Sequence, residues 1–315
     1  MKSVCLAILN FNGRKHLEHL LPTALTAAKN SPIATWVLVL DNCSTEGDLD
    51  WVHGAFPEVK TMTAPKNDYL FSYNWLFPQL KDDIVVILNN DLRLDGHFLE
   101  PLLRHFDRSD VFAVSASSYD WEGRQRTSGQ SRLKYNHGFF RWYFECKRQD
   151  LCHTLFASGG FMAVDRSKYV EINGFSRLFF PAYCEDVDLC FRAWRRGWRT
   201  IYEPESIVWH REHASWEVSP LAKANVLYLR HSLFFQWSSL PMKRGRLKRY
   251  WSLAKIFIGE LLVGKTEVLK IYSKAWLDWI RMRKGFKSMR VSELELQRIQ
   301  MQIEEKVNSI SREKV

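Results

Sequence analysis

Three features are absent from this sequence, and each absence excludes a class of protein. The apolar run near the start, residues 4–9, spans six residues, whereas a signal peptide needs roughly 7–15 and a membrane span about 20. We therefore expect a cytoplasmic protein. The six cysteines form no Cys-x-x-Cys pair, which indicates reduced, mostly buried thiols. No Gly-x-Gly-x-x-Gly follows the first predicted strand, which argues against a dinucleotide cofactor.

Acidic residues are scarce in one segment. Residues 241–290 contain 14 lysines and arginines but only three acids, and the whole chain carries a net charge of +10. The segment therefore accounts for the basic character of the chain. Because no nucleic-acid-binding module is recognisable, we expect no nucleic acid partner. Two apolar helical faces are predicted here, one of Tyr250, Trp251, Ala254, Phe257, Ile258 and Leu261, the other of Val268, Ile271, Tyr272 and Trp276. They predict either peripheral binding at the inner face of a membrane or a helical subdomain packed on the rest of the chain.

The first two-thirds of the chain alternate apolar runs with helical patterns. Strands are predicted at 4–9, 36–40, 83–88 and within 56–63, and helices at 16–30 and from residue 185. The run 83–88 does not alternate with polar residues, which is typical of a central parallel strand covered on both faces. An α/β fold follows, with a Rossmann-like, mostly parallel sheet and helices on both faces. Residues 115–155 are predicted to be irregular. We divide the chain into a catalytic domain, 1–218, and a helical C-terminal region, 219–315, which ends in an amphipathic helix.

Polar residues follow three of the predicted strands, at the edge where such sheets bind ligands. They are Asn10 and Asn12, then Asp41, then Asn89, Asn90 and Asp91. Asp41 can accept a hydrogen bond from a nucleobase or a ribose hydroxyl, although its surroundings are also good turn chemistry. Asp91 can supply the carboxylate that Mg²⁺ shares with substrate phosphates, and Asn89 can offer an amide oxygen. A strand-to-helix cap is the structural alternative for this triplet.

A second acidic pair and a histidine complete the set of candidates. Glu185 and Asp186 open a predicted helix, where capping of the helix dipole is the simpler interpretation. Their neighbours favour chemistry, since Ser158-Gly159-Gly160 lies upstream and His210 downstream. A carboxylate opposite a leaving group can take a proton from an attacking hydroxyl. His210 ends an apolar run, as a strand-end residue would, and its imidazole can either complete a metal shell or serve the structure.

These motifs together resemble those of the family 2 inverting glycosyltransferases, which have the GT-A fold. The likeness runs from about Ser3 to Trp216. ILNFNGR is similar to the first-strand loop that meets the nucleobase, VLVLDNCSTEGD to the second-strand motif, and ILNND to the metal motif. The block from Phe156 to His210 is similar to the acceptor-side block, including the 24 residues between Asp186 and His210.

The resemblance implies a role for each candidate residue. It assigns nucleotide contacts to Asn10, Asn12, Asp41, Asn67, Asn89 and Asn90, sugar or acceptor contacts to Ser158, Gly159, Gly160, Glu185 and Arg192, and metal ligation to Asp91 and His210. It also implies that Asp186, with Glu185 beside it, is the catalytic base, that the donor is a UDP- or dTDP-sugar, that the acceptor is a glycan or lipid-linked, and that Mg²⁺ or Mn²⁺ is the cofactor. Two positions depart from the family pattern. Asn89 replaces the first acid of the metal motif, and Tyr69 replaces a glycine, which predicts a different loop conformation.

Two other functions are compatible with such a sheet. One is a non-catalytic protein that binds nucleotide sugars or acts as a scaffold. The other is a nucleotidyltransferase, which would need a loop rich in glycine and basic residues after the first strand, where residues 10–14 supply one of each. The donor sugar, the acceptor, the linkage and the oligomeric state stay open at this point.

Overall fold

The computed structural model describes residues 2–136, 139–145, 150–211, 221–241, 251, 254–255, 258–259, 262, 267–285 and 290–307. Its strands are β1 (Ser3–Asn10), β2 (Ala34–Asp41), β3 (Lys60–Thr63), β4 (Ile84–Asn89), β5 (Leu92–Leu94), β6 (Val111–Asp120), β7 (Gln130–Asn136), β8 (Phe139–Glu145), β9 (Cys152–His153), β10 (Phe161–Asp165) and β11 (Arg199–His210). Its α-helices are α1 (Arg14–Lys29), α2 (Asp48–Ala55), α3 (Ser72–Leu76), α4 (Leu99–Leu103), α5 (Arg166–Glu171), α6 (Glu185–Arg195), α7 (Leu221–Ser239), α8 (Glu267–Met282) and α9 (Glu293–Glu304). Short 3-10 turns lie at Tyr69–Phe71, Phe77–Gln79, Arg104–Asp107 and Arg177–Phe179.

The main sheet has the strand order β3-β2-β1-β4-β10-β6-β11-β5, with β9 paired to the side of β11. Strands β3, β2, β1 and β4 are parallel neighbours, and β6 and β11 form a second parallel pair. Strand β10 runs antiparallel between β4 and β6. Within the described ranges, six of the nine strands of this sheet therefore point the same way. The predicted α/β fold with a mostly parallel sheet is confirmed.

Two hydrophobic cores cover the two faces of this sheet. Along β1, the side chains of Val4, Leu6 and Ile8 enter one core with α1 and α4, while those of Cys5 and Ala7 enter the other core with α3 and α6. Successive side chains of a strand point to opposite faces, so a strand buried on both sides must be apolar at every position. This requirement explains the unbroken apolar runs of β1 and β4, and it confirms the prediction of a sheet covered by helices on both sides.

Residues 115–155 are more regular than predicted. The stretch contains the end of β6 and an antiparallel hairpin of β7 and β8, which forms a separate two-stranded sheet. The hairpin strands mix aromatic, basic and polar residues because much of their surface is solvent-exposed, so apolar runs do not reveal them. Aromatic residues favour strands, so the aromatic residues of this stretch were the sequence signal that could have predicted the hairpin.

The described parts of the C-terminal region are largely helical, and they pack on the sheet. Phe234 and Trp237 of α7, Trp279 of α8 and Ile299 of α9 are buried in the same core as α6. On α8, Ala275 and Trp279 are buried, whereas Trp276, which belongs to the predicted apolar face, is 49% exposed. Tyr250, Phe257, Leu261 and the boundary predicted at residue 218 lie outside the described residues, so the boundary stays a prediction. No described helix combines the length and the apolar character needed to cross a bilayer.

Candidate active site

Four candidate residues are the last residues of strands that point the same way. Asn10 ends β1, Asp41 ends β2, Asn89 ends β4 and His210 ends β11. The strand register aligns them, since Asn10 lies beside Asp41, and Asn89 follows the β4 residue that pairs with Ile8. The sheet therefore brings these polar groups to one edge, as expected for a ligand site of an α/β fold.

Asp48, a residue that the sequence motifs did not single out, holds the loop after β1 in place through hydrogen bonds. Asp48, the first residue of α2, is buried and accepts hydrogen bonds on Oδ2 from Asn10 Nδ2 and from the backbone N–H of Gly13, both at 2.7 Å. The Asn10 side chain also donates to Asp41 Oδ1 and accepts from Asn90 Nδ2 at 2.9 Å. The side-chain amide of Asn10 therefore both donates and accepts hydrogen bonds within the protein. These hydrogen bonds hold the first loop in place, and the contact of Asn10 with a nucleotide stays a prediction.

Asp41 forms the turn that the alternative interpretation described. Its Oδ2 accepts from the backbone N–H of Ser44 at 2.8 Å, and its Oδ1 accepts from Ser44 Oγ at 2.5 Å. Asn12, in a left-handed conformation with φ of 45°, holds the next residue through a hydrogen bond from the backbone N–H of Thr45 to its Oδ1. Oδ1 also accepts from Asn10 Nδ2, whereas Oδ2 can accept a second hydrogen bond, so Oδ2 is the oxygen of Asp41 that can bind a ligand.

Asp91 and His210 face each other across the end of the sheet. His210 Nε2 lies 3.3 Å from Asp91 Oδ1, and that oxygen is buried with no hydrogen-bond partner in the structure. The antiparallel pairing of β5 with β11 fixes this geometry, because it places His210 beside Leu92, the residue after Asp91. A buried carboxylate oxygen without a donor, next to an imidazole, suits a divalent cation. No group of three or more ligating side chains exists among the described residues, so phosphate and water oxygens would have to complete such a site.

The Ser158-Gly159-Gly160 turn connects β4 to the acidic pair. The carbonyl of Gly160 accepts a hydrogen bond from the N–H of Asn89 at 2.8 Å, and the N–H of Gly159 donates to Asp186 Oδ2 at 3.2 Å. A Cβ at residue 160 would lie 2.8 Å from Asn89 Nδ2, so the close approach of the turn to β4 requires glycine. Ser158 lies beside the sheet, where its N–H donates to Ser115 Oγ at 3.4 Å.

The acidic pair opens helix α6, as predicted. The two residues before it, Tyr183 and Cys184, both adopt left-handed conformations, with φ of 72° and 68°. Non-glycine residues rarely do so, and such strain often lies at functional sites. The Asp186 carboxylate is half-buried and accepts from the N–H of Val187 at 2.8 Å, whereas Glu185 is buried and its Oε2 has no hydrogen-bond partner.

Burial raises the pKa of both carboxyls in this pair. It raises the pKa of Glu185 well above its usual range, and the adjacent negative charge of Asp186 raises it further. Burial also raises the pKa of Asp186, while the N–H groups of Gly159 and Val187 stabilise its ionised form. Two neighbouring carboxyls in a site of low polarity do not ionise together. Of the two, Asp186 is the carboxyl whose ionised form is stabilised by backbone N–H groups of other residues.

Arg192 does not reach this site. Its side chain is buried, and it donates to Asp188 Oδ2 at 2.8 Å and to the carbonyls of Ile172 and Gly174, both at 2.6 Å. The guanidinium thus joins α6 to the segment that follows α5. These three bonds turn donors of Arg192 towards the protein, and its contact with a sugar or an acceptor stays a prediction.

The loop that departs from the family pattern keeps a backbone suited to glycine. Tyr69 has φ of 53°, the left-handed region that glycine favours. Asn67 Oδ1 accepts from the N–H of Tyr69 at 3.3 Å, so Asn67 supports this turn. Tyr69 thus adopts this conformation without being glycine, and a loop conformation different from that of the family stays a prediction. The side chain of Tyr69 is directed outwards, where it meets Phe180 with the ring centroids 5.8 Å apart.

Comparison with known proteins agrees with this arrangement. The model of the family described as glycosyltransferase like family 2 matches residues 2–223. The N-acetylglucosaminyl-diphospho-decaprenol L-rhamnosyltransferase of Mycobacterium tuberculosis is 25% identical over 236 residues, which cover 66% of this chain and 76% of that protein.

Solved structures share the fold at low sequence identity. GalNAc-T7 with UDP, GalNAc and Mn²⁺ has a TM-score of 0.58 at 13% identity, over 76% of this chain and 48% of that one, so the chain spans about half the length of that protein. Residues 1–349 of S. aureus TarS in complex with UDP-GlcNAc have a TM-score of 0.57 at 15% identity, over 89% of this chain and 81% of that one. The predicted GT-A architecture is confirmed.

Proposed function

The chain belongs to the glycosyltransferase like family 2, and we propose that it transfers a sugar from a UDP- or dTDP-sugar, with inversion, to a hydroxyl of a glycan or lipid-linked acceptor in the biosynthesis of a cell-surface polysaccharide or glycolipid. The L-rhamnosyltransferase relative makes L-rhamnose the first donor sugar to test. That relative is named for a sugar linked through a diphosphate to decaprenol, so an acceptor of this class is the first to test.

One observation carries the proposal: the Asp91–His210 pair and the Asp186 carboxylate are fastened to the same end of β4. Asp91 lies two residues after the end of β4, and the turn that hydrogen-bonds to the end of β4 also holds Asp186. In a single displacement, a group that holds the diphosphate and a base that receives the acceptor proton must lie on opposite sides of the anomeric carbon. Two separate acidic sites joined through one short turn support this division of roles.

Asp186 acts as the base in this mechanism. The acceptor hydroxyl gives its proton to Asp186, its oxygen forms a bond to the anomeric carbon, and the bond from that carbon to the nucleoside diphosphate breaks. The electron pair leaves with the diphosphate. Because attack and departure occur on opposite faces, the configuration inverts. The raised pKa of Asp186 supports the role, since a carboxylate of raised pKa is a stronger base.

Asp91 and His210 would hold the divalent cation, Mg²⁺ or Mn²⁺. The partnerless, buried Oδ1 of Asp91 and the imidazole 3.3 Å away fit this group. When bound, such an ion neutralises charge on the leaving diphosphate, which is worth several kcal/mol. Asn89, in place of a second acid, lowers the negative charge of the site and therefore its affinity for the free ion.

Peripheral membrane association through residues 241–290 is part of the proposal. On α8, Trp276 and Leu277 are 49% and 53% exposed, and Lys270, Lys274 and Arg281 lie beside them on the surface. Exposed aromatic and aliphatic groups among basic residues suit the interface of an anionic bilayer. Flotation with liposomes should therefore increase with anionic lipid content, and equal flotation on neutral liposomes would contradict the proposal.

Calorimetric titration with UDP and with dTDP, each with and without Mn²⁺, tests the nucleotide site. We expect micromolar binding that requires the metal and is lost in Asp91→Ala, and the better ligand identifies the nucleobase. A matched control is Asp50→Ala, which removes an exposed carboxylate of α2. If wild-type protein bound neither nucleotide in the presence of metal, a non-catalytic scaffold would become the better interpretation.

A further inference from the structure

His231, on α7, is completely buried and contacts the segment that leads into the acidic pair. Its Nδ1 lies 2.8 Å from the carbonyl oxygen of Ala182 and 3.3 Å from that of Tyr183. A carbonyl oxygen can only accept a hydrogen bond, so Nδ1 carries the hydrogen and donates it. These carbonyls belong to the two peptide groups on either side of Tyr183. One imidazole therefore holds both ends of a residue that stands three positions before Asp186.

The second ring nitrogen of His231 also has a hydrogen-bond partner. Arg230 Nη1 lies 2.9 Å from Nε2, and because a guanidinium can only donate, Nε2 accepts. This arrangement requires a neutral ring. Burial lowers the pKa of His231 to about 4, and the positive charge of Arg230 acts in the same direction. At neutral pH the ring is therefore uncharged and is held in one tautomer, with Nδ1 as donor and Nε2 as acceptor.

Arg230 connects this histidine to the next helix. Its Nε and Nη2 both lie 3.1 Å from Oδ2 of Asp278 on α8, and both side chains are about four-fifths buried. A continuous series of polar contacts thus runs from Asp278 through Arg230 and His231 to the carbonyl of Ala182. It joins α7 and α8 to the segment before α6, so the C-terminal helices and the acidic pair are parts of one hydrogen-bonded structure.

The segment that His231 holds has a conformation that needs such support. Tyr183 and Cys184 are consecutive non-glycine residues with φ of 72° and 68°. Side chains with a Cβ rarely adopt this conformation, and it persists only where surrounding contacts enforce it. Cys184 is also the residue directly before α6, and its carbonyl accepts a hydrogen bond from the N–H of Asp188 in the first turn. The conformation of this segment therefore decides the direction in which α6 begins, and with it the position of Asp186.

We propose that His231 is a positioning residue for Asp186, and that α7 and α8 help through it to place the base. The imidazole does not touch the reacting atoms. It fixes the two peptide groups around Tyr183, and these fix the start of the helix that carries the base. The inference rests on the proposed function, because it takes Asp186 to be the base. It gives a role in the reaction to a residue beyond the family match, which ends at residue 223.

Three variants of the full chain test this role. His231→Leu removes both hydrogen bonds of the ring, whereas His231→Asn keeps a donor, since asparagine Nδ2 can take the place of imidazole Nδ1. The matched control is His153→Leu. His153 is a second buried histidine whose Nδ1 lies 3.1 Å from a backbone carbonyl, that of Glu305, and its ring meets Trp194 at the far end of α6. Thermal unfolding is measured for each variant, and we expect both leucine variants to lose stability.

The rate of transfer separates a positioning role from a structural one. It is measured with L-rhamnose on the nucleotide that binds better, and with N-acetylglucosamine joined through a diphosphate to a short alkyl chain as acceptor. We expect His231→Leu to lower kcat about 10–10²-fold, because a misplaced base loses alignment with the acceptor hydroxyl, while KM for the donor stays near the wild-type value. His231→Asn should recover most of the rate, and His153→Leu should retain it. An unchanged kcat in His231→Leu, or an equal loss in His153→Leu, would overturn the inference.

The thiol of Cys184 provides a readout that needs no substrate. It is buried, and burial raises its pKa, so in the wild type it should react slowly with an aromatic disulfide. Mass spectrometry of the labelled peptide gives its rate. We expect faster labelling in His231→Leu and slow labelling in His231→Asn and His153→Leu. If His231→Leu does not fold, Asp278→Asn breaks the same series of contacts at α8 and should also speed labelling.

The two measurements distinguish this inference from the proposed function. Labelling of Cys184 at the wild-type rate in His231→Leu, or in Asp278→Asn where that variant replaces it, would overturn the positioning role even if the wild type transferred sugar. Absence of transfer and of nucleotide binding in the wild type would overturn the proposed function, and the role of His231 towards a base with it. Faster labelling would then show only that His231 holds the segment before α6.

Discussion

The backbone N–H of Gly159 donates a hydrogen bond to Asp186 Oδ2 at 3.2 Å. The next residue, Gly160, accepts a hydrogen bond from the N–H of Asn89 at the end of β4. A single turn thus sets the distance between the base and the strand that carries Asp91. The turn itself contributes only backbone atoms to the two contacts, so its own part in them does not depend on a side-chain rotamer.

Replacement of the base should abolish transfer without loss of nucleotide binding. In Asp186→Asn the side chain keeps its shape but cannot accept the proton. We expect the transfer rate to fall by about 10²–10⁴-fold, the usual contribution of a general base, while UDP or dTDP affinity changes little. Asp50→Asn, which replaces an exposed carboxylate, is the matched control and should retain full activity. Substantial transfer by Asp186→Asn would mean that another group takes the proton.

The rate of transfer should depend on pH through the same carboxylate. Burial raises the pKa of Asp186, so kcat/KM should fall as the pH is lowered, with a midpoint above the ordinary aspartate value of about 3.9. The direction follows because only the ionised base accepts a proton. A profile that stayed flat down to about pH 4 would be incompatible with Asp186 as a base of raised pKa.

His210 should contribute to affinity for metal rather than to affinity for the nucleotide itself. Its Nε2 lies 3.3 Å from Asp91 Oδ1. We expect His210→Ala to reduce the gain in nucleotide affinity on adding Mn²⁺ about tenfold, since an imidazole ligand is lost. Electron paramagnetic resonance of Mn²⁺ provides an independent readout of the same site. The control is His97→Ala, an exposed histidine in the turn before α4. An unchanged Mn²⁺ effect in His210→Ala would assign His210 a structural role.

Much of the site could be predicted because its residues stand at the ends of apolar runs. β1, β2 and β4 each begin and end within two residues of their predicted bounds, and His210 is the last residue of β11. In a parallel sheet, these ends must meet at one edge. Helix α6, which begins at Glu185, could also be predicted. Apolar residues at helical spacing follow Glu185, and Gly197 indicates where the helix ends.

What could not be predicted depends on contacts between distant parts of the chain. Strand β10 inserts antiparallel between β4 and β6, a pairing that no local pattern encodes. Asn10 and Arg192 are of residue types that bind ligands, and only their partners in space show that the protein uses them for its own hydrogen bonds. Asp48 is the last residue of the second-strand motif. A carboxylate directly after a glycine was the sequence signal that could have identified it. Arg141 of β8 lines a cleft together with residues of α7 and α8. These helices lie far from Arg141 in the sequence.

Asp48 should prove essential to the first loop. Asp48→Ala leaves the N–H of Gly13 and one proton of the Asn10 amide without their acceptor. We expect a loss of about 2 kcal/mol in the free energy of unfolding, from buried donors left unsatisfied, and weaker nucleotide binding because Asn10 also positions Asp41. Urea unfolding measures the first effect and calorimetry the second. Asp50→Ala lies on the same helix but is exposed, and it should change stability by no more than about 0.5 kcal/mol. Similar values for the two variants would show that the loop does not need Asp48.

Arg192 should act on stability and not on substrate affinity. It pairs with Asp188 inside the protein, where both side chains are almost completely buried. Removal of one partner of a buried pair leaves a charge without compensation, so Arg192→Ala should lower the free energy of unfolding by about 3–5 kcal/mol. Arg195, on the same helix, pairs with Glu295 at the surface, and Arg195→Ala should cost about 1 kcal/mol or less. Urea titrations of the two variants make the comparison.

The same pair also decides between the two interpretations of Arg192. If its role is to hold α6 in place, the double variant Arg192→Met/Asp188→Leu should recover part of the lost stability, because apolar groups of similar size can replace a buried ion pair. The recovered protein should then bind an acceptor sugar linked through a diphosphate to a lipid as the wild type does. If it were stable but had lost acceptor affinity, Arg192 would contact the acceptor after all, and the three bonds that now occupy its guanidinium would have to open during binding.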